Sequence, residues 1–124
     1  MKLQPDRQPT LNTVSAYGSG YIEINATRYE TSLLLQPEGP VTPWSCKSFA
    51  ALSVEDFEVI ALKKPALVIL GSGLKIQFPR PELIAPLIKA KIGIETMDLQ
   101  AACRTYNVLM AEGRNVLAAL IMDH

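Results

Sequence analysis

The segment Gly71-Ser72-Gly73 puts a hydroxyl between two glycines directly after the apolar run Ala66-Leu67-Val68-Ile69-Leu70. Small residues at the end of a buried strand can aim backbone N–H groups at an oxyanion or a phosphate, and ligands of open α/β sheets gather at that end. Two fuller motifs are absent. A dinucleotide-binding G-x-G-x-x-G requires glycine at position 76, which is Ile76, and a helix directly after the loop. A nucleophile elbow G-x-S-x-G requires glycines at 70 and 74, which are Leu70 and Leu74. The segment therefore reads either as a tight turn that needs positive φ or as an anion cradle.

A second group of candidates shares one helix. Leu99, Ala102, Cys103, Tyr106, Leu109 and Met110 recur at helical spacing, and Arg104 and Asn107 stand three residues apart on one side with Ala111. Cys103 falls on the apolar stripe, where a free cysteine behaves as a small buried hydrophobe; reactivity would need an exposed, electropositive niche. Arg104 follows it in sequence but projects about 100° further round the helix. Glu112, in the last turn, opposes the helix macrodipole, and Arg114 just past Gly113 is the nearest cation for a local salt bridge or a shared ligand contact.

Hydrolytic and metal chemistry find little here. The single histidine is His124, the final residue, so a serine has no base in the body of the chain. Cys46 and Cys103 are far apart in sequence and offer no zinc-site spacing, so neither a metal nor a cofactor is expected and no catalytic residue is assigned. Trp44, in a loop with Pro40 and Pro43, and Tyr17, beside Gly18-Ser19-Gly20, either cover the core edge or anchor a protein partner.

The elements that must position these residues follow from periodicity. Residues 1–16, with Pro5 and Pro9 and no sustained period, read as a loosely held arm, and 17–124 as one domain. Tyr21, Glu23 and Asn25 alternate with Ile22, Ile24 and Ala26, which predicts a half-buried strand, a hairpin turn at Asn25-Ala26 and a partner strand over 28–35. Ser53, followed by Glu55 and Asp56, starts a helix that closes at Lys63-Lys64-Pro65. Pro81 suits a first helical position and Leu83, Ile84, Leu87 and Ile88 make a stripe ended by Gly93, but Pro86 in its interior demands a kink or a late start. A brief strand at Ile92 and Ile94, an N-cap at Thr96, the helix just described and an apolar strand over 116–122 complete the order. The strand is apolar on both faces, hence central, and the series predicts a three-layer α/β domain with a mixed sheet and an additional N-terminal hairpin.

Composition bounds the function. With 48% hydrophobic and 19% charged residues the 124-residue chain should fold without staples, and twelve basic residues balance twelve acidic ones. Zero formal charge and 6% aromatics argue against nucleic acid. The longest apolar run, 116–122, is far below the roughly 18 residues of a membrane span. The first residues resemble neither a secretory signal nor an Arg-rich presequence, so a reducing cytoplasm is expected.

Taken together, residues 65–73, Gly93-Ile94-Glu95-Thr96-Met97, residues 101–107 and Glu112-Gly113-Arg114 resemble the Mth938 domain family (DUF498-like) over about residues 15–122. That family also contains a mitochondrial respiratory complex I assembly factor and an adipogenesis-associated protein. The resemblance implies a compact three-layer fold with a pocket near the Gly-x-Gly loop and the Arg-Thr-Tyr-Asn helix. On it, Gly71, Gly73, Cys103, Arg104, Asn107, Glu112 and Arg114 match the family pattern, while Ser72 stands where the family often has threonine. Two functions are expected from these readings. One is a non-enzymatic, assembly-factor-like protein that binds a protein partner and forms a homodimer. The other is a small-molecule binding protein or enzyme whose Gly71-Ser72-Gly73 loop holds an anion with Arg104 and Arg114.

Overall fold

The structure is a computed structural model that describes residues 10–122. Its centre is β8 (Val116–Leu120), in which every residue is buried. Side chains along a strand alternate between faces, so Val116, Ala118, Leu120 and Met122 enter one hydrophobic core while Leu117, Ala119 and Ile121 enter a second. The expectation of a central strand apolar on both faces is met. Around it lies a five-stranded sheet in the order β5-β4-β8-β6-β7, where β4 is Leu33–Leu35, β5 is Thr42–Pro43, β6 is Leu67–Gly71 and β7 is Gly93–Met97. β6 runs parallel to both β7 and β8, whereas β4 runs antiparallel to β8 and β5.

Parallel pairing forces crossovers, and their hand sets the layers. The chain moves from β6 to β7 in one direction across the sheet, then back past β6 to β8. Right-handed connections in opposite directions put their helices on opposite faces. Accordingly α2 (Ala85–Lys89) packs Leu87 with Phe57 and Ile60 of α1 (Val54–Leu62), while α3 (Leu99–Ala111) packs Ala102, Cys103, Tyr106 and Met110 into the other core. A separate antiparallel sheet, β1 (Val14–Gly18), β2 (Tyr21–Ile24) and β3 (Thr27–Tyr29), adds Val14, Ile22 and Ile24 to the α3 side.

The N-terminal half departs from expectation in two places. Of the arm expected over 1–16, residues 1–9 lie outside the described residues, and its end is the strand β1. Val14 there is held across 93 positions of sequence: its N–H donates to Asn107 Oδ1 at 3.0 Å and its carbonyl accepts from Asn107 Nδ2 at 2.9 Å. The strand expected over 28–35 is two strands in two sheets. Ser32 makes the transfer, its hydroxyl accepting Met122 N–H at 2.9 Å and its carbonyl accepting Trp44 N–H at 3.0 Å.

Helix ends follow local chemistry. Asp56 reaches back to accept Ser53 N–H at 2.9 Å, closing the start of α1. The late start demanded by Pro86 is what occurs, with the proline in the first turn of α2, where its missing N–H has no intrahelical role. That helix is ended by Lys91 at φ 61 rather than by Gly93, which opens β7. Thr96 lies within β7, and Asp98 is the N-cap of α3, accepting Ala101 N–H at 2.9 Å. Gly113, at φ 80, donates to the Met110 carbonyl and Arg114 N–H to that of Leu109, both at 3.0 Å, a Schellman stop.

The hairpin between β2 and β3 places both central residues at positive φ, Asn25 at 50 and Ala26 at 71. Alanine has no intrinsic reason to be there. Ala26→Gly is expected to raise stability by about 0.5–1 kcal/mol, read as a higher urea midpoint at unchanged slope; a lower midpoint would contradict a left-handed residue at Ala26.

Candidate functional site

The Gly71-Ser72-Gly73 loop sits where the strand order reverses, the place where doubly wound sheets usually open a crevice. Here that place is filled. A Cβ on Gly71 would come within 3.0 Å of both Ala102 Cβ and Leu120 Cδ2, so glycine at 71 lets α3 approach β6 closely. Ser72 is fully buried. Its N–H donates to the Met97 carbonyl at 2.8 Å, and its Oγ lies 2.8 Å from the Lys75 carbonyl and 3.2 Å from that of Met97 while accepting Gln77 N–H at 2.9 Å. Gly73, at φ 106, turns the chain, and its carbonyl accepts Leu99 N–H at 2.8 Å. The backbone and hydroxyl groups of the loop thus bind the fold itself, and the tight-turn reading describes this geometry.

The remaining candidates are spread along α3, whose thirteen residues span about 20 Å at 1.5 Å per residue. Gly73 meets the first turn, while Glu112 and Arg114 lie beyond the last. Gly71-Ser72-Gly73 and Arg114 are therefore at opposite ends and form no common pocket. Arg104 is exposed and its Nη1 donates to the Tyr17 hydroxyl at 3.2 Å, pinning β1 to the helix. Asn107 does the same through Val14, and the buried Tyr106 donates its hydroxyl to the Asn12 carbonyl at 2.7 Å. Glu112 and Arg114 are both exposed and make no salt bridge; among the described residues the ion pair is Arg28 with Glu30 at 2.8 Å. The Schellman turn carries Arg114 instead to the rim of a cavity of about 590 Å³ that it shares with Glu38, Gln36, Met110 and Asn115.

Trp44 covers the core edge. It is 5% exposed, meets Phe57 edge-on at 6.0 Å between ring centroids, and donates Nε1–H to the Asp56 carbonyl at 3.2 Å. Cys46 and Cys103 belong to the two cores on opposite faces of the sheet, so they do not bridge. Burial pushes the Cys103 thiol up to about 12, against a small opposing pull from Arg104. Among the described residues no cluster of three or more His, Cys, Asp or Glu side chains could hold a metal ion.

What the sequence reading passed over lies outside. Leu74, Ile76 and Phe78 are 67%, 51% and 70% exposed, displayed by the loop that Ser72 ties down. Leu62 is 81% exposed at the rim of a groove of about 570 Å³ between α1 and α2, lined also by Val54, Glu58, Ala61, Ala85, Pro86 and Lys89. The available signal was apolar residues alternating with Lys75 and Gln77 between glycine and proline punctuation, where a buried strand would have continued the apolar run.

Residues 14–121 match the family described as "Protein of unknown function (DUF498/DUF598)". The chain belongs to that family. A solved Bordetella pertussis protein described as a Mth938-like domain is 37% identical with a TM-score of 0.82, the match covering 99% of this chain and 93% of that one. The Mth938-like fold expected from the sequence is the fold found. NADH dehydrogenase (ubiquinone) 1 alpha subcomplex assembly factor 3 of Bos taurus is 28% identical over 115 residues, 91% of this chain; the chain spans 62% of that protein's length. The 13 kDa major membrane protein of Francisella tularensis is 27% identical over 123 residues, 98% of this chain and 99% of that protein. Among the described residues no helix of this chain is long and apolar enough to cross a membrane.

Two predictions follow from the buried groups. Ser72→Ala strips the Gln77 N–H of its acceptor and should cost about 1–3 kcal/mol in urea unfolding, whereas an unliganded cradle would tolerate the change. For Cys103, the unfolded thiol loses its proton near the ordinary 9.0 and the folded one near 12. Above pH 9 the unfolded state binds fewer protons, so stability falls as pH rises through that window, and burial of Tyr106 acts in the same direction. Cys103→Ala should flatten this alkaline loss in unfolding midpoints measured against pH; an unchanged slope would contradict the burial.

Proposed function

We propose that the protein is a non-enzymatic binding protein that assists assembly of a protein complex, respiratory or other, and that its partner seats in the α1–α2 groove. The observation that carries this reading is Leu62, a large apolar side chain 81% exposed at the rim of a largely apolar groove that Glu58 and Lys89 also line. Val59 on α1 and Ile88 on α2 are also exposed, at 46% and 60%. An exposed apolar side chain at the rim of a preformed groove is what a partner's apolar anchors require. The name of the bovine relative, an assembly factor similar over 91% of this chain, supports the same role. The reading places the protein in the cytoplasm, where Cys46 and Cys103 stay reduced. It also includes a homodimer, which a sedimentation mass of only 13.6 kDa would remove.

In cells lacking the protein, native gels should show an accumulated intermediate of a multisubunit complex that the wild-type chain clears and Leu62→Asp does not. The variant should unfold within about 0.5 kcal/mol of wild type, since the side chain is exposed. Normal assembly of every complex without the protein would remove the reading.

A further inference from the structure

The loop over residues 74–80 reads Leu74-Lys75-Ile76-Gln77-Phe78-Pro79-Arg80, and its surface has a composition of its own. Leu74, Ile76 and Phe78 are mostly exposed. Lys75 and Arg80 are exposed beside them, and no carboxylate occurs from Gly71 through Pro81. Exposed Glu82 follows directly, so the local excess is one positive charge on a chain that is neutral as a whole. We infer that this loop docks the protein on an anionic lipid surface, with Leu74, Ile76 and Phe78 entering the boundary between headgroups and acyl chains and Lys75 and Arg80 meeting the phosphates.

Three features favour a bilayer over a protein surface as the occupant. The cations interleave with the apolar side chains, and lysine is depleted from the centres of protein interfaces, whereas long basic side chains lay their stems on hydrocarbon and keep the charge at the headgroups. Complementary charge is supplied by anionic lipid, whose surface potential attracts each nearby Lys or Arg. The loop is also shaped before it binds. Ser72 fixes it through Lys75 and Gln77, and Pro79 limits its backbone, so little ordering remains to oppose insertion. The contact is peripheral, made by a loop and not by a spanning helix, and it is independent of the partner seated between α1 and α2.

The test is co-sedimentation of the full chain with phosphatidylcholine vesicles, with and without phosphatidylglycerol, at low and high salt. Wild type should bind the anionic vesicles, weakly or not at all the neutral ones, and release as salt rises. Lys75→Gln and Arg80→Gln should each lower the partition about fivefold, and Leu74→Ser with Phe78→Ser at least about tenfold. Unfolding midpoints of all four substitutions serve as the control for folding, since every side chain changed is exposed. No binding to anionic vesicles, equal binding by the loop variants, or equal binding to neutral vesicles overturns the inference. Loss of a protein partner by the loop variants, with wild type indifferent to vesicles, overturns it too and assigns the loop to protein contact.

Discussion

The whole molecule depends on β8 having no exposed face. Its five residues are buried on both sides, so α1 and α2 must cover one surface while α3 and the β1–β3 sheet cover the other. Removing one large side chain from such a strand, as in a leucine-to-alanine change, typically costs about 2–5 kcal/mol, a large part of the stability of a domain this size. The opposed crossovers through α2 and α3 are the topological answer to that demand, since right-handed connections in both directions are the simplest way to roof a parallel core twice.

The same demand explains why the switch point of the sheet is closed. A ligand crevice opens there when the adjacent helix stands off; here glycine at 71 brings α3 down onto the strand, and Ser72 spends its hydrogen-bonding capacity on three backbone partners. One consequence is outward. By anchoring the chain at Lys75 and Gln77, the buried hydroxyl gives a loop of large apolar residues a defined shape in solvent. Stability inside and display outside are then products of one turn.

Much of this architecture was legible because burial on both faces leaves a plain mark. The runs that became β6 and β8, the apolar stripe of α3 and the proline that delays α2 each reflect a single strong local cause. The elements that were missed lack one. In β1 only Val14 is buried, and the strand is fixed by Asn107, which sequence order puts far away. The separation of β3 from β4 turns on Ser32, whose partners Met122 and Trp44 are distant in the chain, so a continuous β-like run concealed a change of sheet. Pairing with β6 carries β7 through Thr96 and moves the helix cap to Asp98. For the candidate site, residue types singled out the glycine turn and the polar side of α3, yet the distance along that helix, invisible in a list of motifs, keeps them from forming a single pocket.

Ser72, Arg104 and Asn107 are spent on the fold, and the proposed contacts are made by outward surfaces, the 74–80 loop and the α1–α2 groove. Hydrogen-exchange mass spectrometry tests this directly, comparing the free protein with the protein incubated with membranes and soluble extract of its own cell. New protection confined to residues 74–80 and to α1 and α2, with peptides over 71–73 and 104–114 unchanged, is the predicted result. Protection centred on Gly71-Ser72-Gly73, Arg104 and Arg114, with the outer surfaces unaltered, would contradict it.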